Sequence, residues 1–195
     1  MMSSDVMTDK VAQGLLLDEE ARRRVTVFGG SRCGPESPEY EEALRLGRLL
    51  AEAGFDVCSG GYAGVMEAIS RGAHEAGGHV IGVTMSQFIS SPNPYLKKVE
   101  PSADFYARLQ KLISQSVGYV ALRGGMGTIT EISLVWNKLT MNVLPPRPLI
   151  LLGACWPRAL ECLREHLVIS DADLAWLSFV ETAEEAVAIL NERAR

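Results

Sequence analysis

The chain has 195 residues, 47% of them hydrophobic and 22% charged, with a formal net charge of −5 at pH 7. That length suits one domain with a substantial core. The acidic balance offers no footprint for duplex nucleic acid, whose binding needs clustered Lys and Arg to displace counterions.

No apolar run approaches the roughly 20 residues needed to cross a bilayer, and the polar opening MMSSDVMTDK does not resemble a secretory signal. The expectation is a cytoplasmic protein without membrane or nucleic-acid partners. The one basic run, ARRR at 21–24, reads as a solvated helix end. Cys33, Cys58, Cys155 and Cys162 form no CxxC pair, and no histidine stands at zinc-finger spacing. Reduced thiols, no metal and no cofactor are expected.

Residues 1–24 lack a strong apolar period before VAQGLLLDEEARR and are set apart as an N-terminal extension or peripheral helix. Residues 25–195 are read as one domain. The first strand is VTVFGG at 25–30, followed by a helix from about Pro38 to Ala53. Ser37 and Pro38 fit an N-cap and N1 pair, Glu39, Glu41 and Glu42 suit the positive helix end, and Gly54 suits a left-handed C′ position. FDVCS is a second, buried strand, and a helix then spans about Val65 to Ala76, with Val65, Ala68, Ile69, Gly72 and Ala76 on one face.

HVIGVT at 79–84 is the third strand. MSQFISSPNPYLKKVEPSAD, with three prolines and four serines, reads as a surface loop beside the site. A helix from about Asp104 to Ser116, the strand GYVAL and the helix TITEISLVWNKLT follow. PLILLG and LSFV are the last strands, separated by WPRALECLREHL, and TAEEAVAILNERA is the closing helix. The alternation predicts an α/β fold: a Rossmann-like three-layer sandwich around a mainly parallel sheet of about six or seven strands, with ligands at the strands' carboxyl ends.

Two glycine clusters, SGGYAG at 59–64 and RGGMG at 123–127, each lie between a strand and a helix. Glycine there lets the backbone approach a ligand, and the free N–H groups and dipole of the following helix attract an anion, so phosphate is the natural guest. Neither cluster is GxGxxG, and no Gly-Lys pair occurs to complete a P-loop.

Thr128-Ile129-Thr130-Glu131 is by its spacing a capping box, with Thr128 as N-cap and Glu131 reaching back to it. Arg108 sits at the edge of the stripe formed by Phe105, Leu109, Leu112, Ile113 and Ser116, where a solvated or salt-bridged arginine is usual.

GG-x-x-G-x-M, then HVIGV, then Arg108 fifteen positions before Arg123, then GG-x-GT-x-x-E resembles the LOG family, once labelled lysine decarboxylases. The similarity covers about residues 25–153. It implies hydrolysis of the N-glycosidic bond of a nucleoside 5′-monophosphate, a cytokinin riboside 5′-monophosphate or AMP, giving free base and ribose 5-phosphate.

The resemblance assigns catalysis to Arg108 and Glu131. Phosphate or substrate binding is expected of Ser31, Gly60, Gly61, Gly64, Met66, Gly124, Gly125, Gly127 and Thr128, with Arg123 as an extra guanidinium at the mouth of the anion site. The resemblance also implies a homodimer, with the ISLVW helix as candidate contact surface. Arg123 stands where the family signature has proline, Glu67 where glycine is usual, and Leu109 where lysine normally follows the arginine.

A related branch with this architecture resembles the molybdenum-cofactor carrier proteins, so a non-catalytic nucleotide or cofactor carrier is the alternative. Decarboxylation through pyridoxal phosphate needs a Schiff-base lysine. Lys10, Lys97, Lys98, Lys111 and Lys138 all lie outside the glycine clusters.

Overall fold

The computed structural model describes residues 24–87 and 90–194. The expectation for residues 1–24, Arg24 apart, lies outside the described residues. The strands are β1 (Arg24–Phe28), β2 (Asp56–Ser59), β3 (Val80–Met85), β4 (Lys98–Ser102), β5 (Gly118–Ala121), β6 (Leu149–Leu152) and β7 (Leu177–Val180). The helices are α1 (Pro38–Glu52), α2 (Val65–Glu75), α3 (Phe105–Ser114), α4 (Met126–Thr140), α5 (Cys155–His166), α6 (Asp171–Leu174) and α7 (Ala183–Arg193).

All seven strands join one sheet in the order β4-β3-β2-β1-β5-β6-β7, and every pairing is parallel. The chain lays β1 to β4 outward in one direction, then returns to place β5 on the other side of β1. The β1/β5 seam is therefore the switch point, where the loops leaving the carboxyl ends part and open a crevice.

The central strands bury both faces, so their side chains divide by the two-residue period. Val25, Val27, Val120, Ile150 and Leu152 pack on one side, with residues of α1, α2 and α7. Phe28, Tyr119, Ala121, Leu149 and Leu151 pack on the other, with α3, α4 and α5. The expected three-layer α/β sandwich is the observed one.

The α1 signals behave as their chemistry dictates. Ser37 Oγ accepts from the Tyr40 N–H at 3.2 Å, Pro38 opens the helix, and Gly54 takes φ +78° just after it. Its buried stripe runs through Tyr40, Ala43, Leu46, Gly47 and Leu50.

Three features depart from the sequence reading. The supposed loop 85–104 contains β4, which pairs with β3 along Ile81–Met85. As an edge strand β4 can be charged and can tolerate Pro101, so KVEPS carries no apolar alternation to betray it. The helix expected from Thr128 begins at Met126, with Gly125 as N-cap. The short α6 is held by a capping box between Ser170 and Asp173.

α1 and α2 cross at backbone contact. A Cβ on Gly72 would lie 1.9 Å from the Leu44 carbonyl oxygen, and one on Gly47 2.2 Å from the Ile69 carbonyl oxygen. Alanine gains up to about 1 kcal/mol over glycine in an open helix, but here its methyl has only backbone to displace. Gly72→Ala should therefore destabilise the protein by about 3 kcal/mol, the upper part of the overpacking range, read as a lower urea midpoint.

Candidate active site

A cavity of about 1000 Å³ opens at the β1/β5 switch point. Its lining includes Gly29 to Gly34 after β1, Tyr62, Val65 and Met66 at the start of α2, Arg108 on α3, and Arg123 to Gly127 with Glu131 around the start of α4.

Glu131 lies on the inner face of α4, in its second turn. With Gly125 as N-cap, the Thr128–Glu131 capping box does not form: Thr128 is already inside the helix, and Glu131 faces Arg108 instead. Arg108 Nη1 stands 3.6 Å from Glu131 Oε1, and both side chains are 11% exposed.

Arg108 is held from three other sides. Its Nε donates to the Val83 carbonyl at 2.9 Å, and its guanidinium carbon lies 5.9 Å from the centre of the Tyr62 ring. Its Nη2 occupies the hollow over Gly60, where a Cβ would come within 2.1 Å of it. The Tyr62 hydroxyl in turn accepts from the Met85 N–H at 2.9 Å. The ring is therefore fixed to the end of β3.

Burial pushes the Glu131 carboxyl up to about 7 from an ordinary 4.5, and the nearby Arg108 charge only partly offsets it. Desolvation outweighs the ion pair because a contact at 3.6 Å is long for a charge-assisted hydrogen bond. A carboxyl so placed exchanges its proton near neutral pH.

The two glycine clusters have different uses. Val65 N–H, in the first turn of α2, donates to the Gly30 carbonyl at 2.9 Å. A Cβ on Gly64 would strike that carbonyl at 2.5 Å. Gly60, Gly61 and Gly64 thus let α2 close against the β1 loop and β3, and they are not among the cavity's lining residues.

At α4 the situation reverses. No side chain caps the helix, and a Cβ on Gly127 would meet no atom of the described residues within 4 Å. Gly125, Gly127, Met66 and the exposed Ser31 line the cavity. Gly124 also makes room for Thr128, whose Oγ1 would lie 2.1 Å from a Cβ there. Thr128 itself is buried beneath the loop.

Arg123 lines the rim and donates from Nη1 to Glu39 Oε1 at 2.8 Å. The other two departures from the LOG signature lie off the cavity. Glu67 accepts from the Tyr40 hydroxyl at 3.4 Å, and Leu109 is a core residue.

Sequence reasoning missed Arg32, Glu39 and Tyr62. Arg32 brings Nη2 to 3.9 Å from a Cβ built on Gly125, beside the uncapped helix end. Its position in GGSRCG, straight after the first strand, was the available signal. Among the described residues no group of three or more His, Cys, Asp or Glu side chains is placed to hold a metal ion, and no helix is long and apolar enough to cross a membrane.

A parallel sheet with a charged, glycine-lined cavity at its switch point defines a Rossmann-like α/β protein. A sequence model of the SLOG cluster4 family matches residues 22–152, and the chain belongs to that family. Two relatives bear out the LOG resemblance. The probable cytokinin riboside 5′-monophosphate phosphoribohydrolase LOGL5 of Oryza sativa subsp. japonica is 34% identical over 128 residues, 63% of this chain and 52% of that protein. The cytokinin riboside 5′-monophosphate phosphoribohydrolase LOG7 of Arabidopsis thaliana is 31% identical over 128 residues, 63% of this chain and 59% of that protein. The chain thus spans little more than half the length of these relatives.

Among solved structures, TM1055 has 31% identity and a TM-score of 0.71 over 87% of this chain and 99% of that one. The molybdenum cofactor binding protein of Rippkaea orientalis has 22% identity and a TM-score of 0.71 over 87% and 95% of the two chains. At that identity it shares the fold.

The raised Glu131 pKa has a thermodynamic consequence. Between about 4.5 and about 7 the folded state keeps a proton that the unfolded chain has released. Glu131 therefore subtracts stability progressively as pH rises through that window, and the loss levels off above it. Glu131→Gln should remove this slope: the variant gains on the parent from about pH 4.5 to about pH 7 in thermal melts, with a constant difference beyond.

Proposed function

We propose that the protein is a nucleoside 5′-monophosphate phosphoribohydrolase, cleaving the N-glycosidic bond to give free base and ribose 5-phosphate. The observation that carries this reading is the buried Glu131 carboxyl, poised to exchange a proton near neutral pH. It lies five residues along α4 from an uncapped helix end. At about 1.5 Å per residue that separation is about 7–8 Å along the axis, the span of a ribose 5-phosphate. A phosphate on the first-turn N–H groups of α4 would thus bring the anomeric carbon to Glu131. The names of the plant relatives point to the same chemistry.

Phosphate binding falls to the backbone of Gly124, Gly125, Gly127 and Thr128, with Ser31 and Arg32 across the loop; Arg123 stands at the rim, engaged by Glu39. Met66 borders the sugar side. Gly60, Gly61 and Gly64 act through Arg108 and the loop packing. As the base departs with the bonding electron pair, positive charge develops on the sugar, and ionised Glu131 stabilises it. Glu131 takes a proton from the attacking water, whose oxygen bonds to the anomeric carbon, and the departing base is protonated in turn. Arg108 orients Glu131 and limits the rise of its pKa.

Pyridoxal chemistry finds no support, since no lysine of the described residues lines the cavity. A carrier holding its ligand without chemistry would leave the poised carboxyl unused. The protein should convert AMP or N6-isopentenyl-AMP to free base, with little turnover of the matching nucleoside, as chromatography would read. Its kcat/KM should rise with pH through about 7 as Glu131 ionises. Glu131→Gln should cut kcat by roughly 10² or more, the usual share of a general base; undiminished turnover would remove Glu131 from the chemistry, and no turnover of any nucleotide by the parent would favour the carrier.

Gly127 gives a second test. Glycine inside a helix costs up to about 1 kcal/mol against alanine, and none of the described residues requires its missing Cβ. If the close neighbour is a ligand phosphate, Gly127→Ala should raise the melting temperature while weakening monophosphate binding, measured by calorimetric titration.

A further inference from the structure

We propose that the Arg123–Glu39 ion pair is the specificity-determining end wall of the cavity, admitting a ligand with one terminal phosphate and turning away one with a second phosphate in tandem. This rests on the ribose 5-phosphate reading above and adds which residues set the limit of ligand size and charge.

The pair bridges 84 positions of sequence, joining the loop after β5 to the first turn of α1. Both side chains line the cavity. Arg123 immediately precedes Gly124 and Gly125, so the pair stands off the N-terminal end of α4, whereas Glu131 and Arg108 lie in the opposite direction along that helix. A phosphate seated on the first turn with its ribose toward Glu131 must direct any further phosphate outward, onto the pair.

What such a phosphate meets there is a carboxylate with its countercharge already engaged. A backbone N–H in the first turn of α1 and then the Arg123 guanidinium hold Glu39 below the usual carboxylate range. The hydrogen bond at 2.8 Å directs the Arg123 fork at Glu39. A second phosphate would have to pull Arg123 away and expose its own charge to Glu39. Like-charge juxtaposition of this kind is how sites reject close analogues of their ligand. Arg123 is 70% exposed and Glu39 31%, so water and salt screen the effect. The discrimination is accordingly tens-fold and weakens with ionic strength.

The pair makes opposite demands on its two members. Neutralising Glu39 frees a guanidinium for the second phosphate; neutralising Arg123 leaves a bare carboxylate in its path. The test is calorimetric titration of the full chain with AMP and ADP, in a Glu131→Gln background that slows turnover. Before further substitution, AMP should bind at least about tenfold tighter than ADP. Adding Glu39→Gln should collapse that ratio toward one by favouring ADP, and adding Arg123→Gln should widen it, with both shifts shrinking in high salt. A ratio unchanged by either substitution, with AMP still bound, would overturn the end wall and leave the nucleotide reading standing. A parallel gain for AMP and ADP in Glu39→Gln would make Arg123 a direct ligand of the first phosphate and overturn it too. Failure of AMP to bind at all would remove the nucleotide reading and this proposal together.

Discussion

The site is organised around one unfavourable placement: a glutamate carboxyl removed from water with a single long ion pair as compensation. Glu131 is buried on α4, and its facing guanidinium is 3.6 Å away. Neither charge can be left to adjust freely, because an uncompensated buried charge costs several kcal/mol. The surrounding elements accordingly converge on Arg108. β3 offers the Val83 carbonyl, the loop after β2 offers the Tyr62 ring and the hollow over Gly60, and α3 carries the side chain itself. These elements are thereby tied to one point at the switch in strand order.

The same requirement explains why two similar glycine clusters came to differ. Each follows a strand and opens a helix, and each leaves that helix without a side-chain cap. At α2 the first N–H is met by Gly30, so the glycines serve chain-to-chain contact and the seating of Arg108. At α4 Gly124 makes room for Thr128, while Gly127 leaves space with no atom of the described residues within 4 Å of its missing Cβ. The two helix ends therefore differ in how far the protein itself occupies them.

Much of the fold was legible because the central strands are buried on both faces. VTVF, GYVA and LILL are apolar runs, and the helices between them carry their own caps, as Ser37-Pro38 and Gly54 show. β4 was hidden because an edge strand is specified by its neighbour's hydrogen bonds rather than by its own side chains. The helix starting at Met126 was misplaced because Thr128-x-x-Glu131 imitates a cap, while the actual N-cap is a glycine with no side chain to signal it. Glu39 had a sufficient local explanation in the positive end of α1. Its partner, 84 positions away, is a tertiary fact. Arg108 and Glu131 looked structural by spacing and gained a role only from the family resemblance. The geometry then brings them together.

On the phosphoribohydrolase reading, binding itself would act on the poise of Glu131. A ligand that fills the crevice displaces water from a carboxyl already dominated by desolvation, and its phosphate adds negative charge at the other end of the same cavity. Both changes favour the protonated form. Unopposed, they would carry the carboxyl past the pH at which it can serve as a base. The opposing influence is Arg108, whose charge lowers the Glu131 pKa and whose anchors prevent the guanidinium from swinging to the incoming phosphate. A lysine would supply the charge but not the planar fork that reaches Val83, the Gly60 hollow and Glu131 together. The arginine's fixed position is therefore as necessary as its charge: it keeps the site's one buried acid within reach of ionisation when the ligand most strongly opposes it.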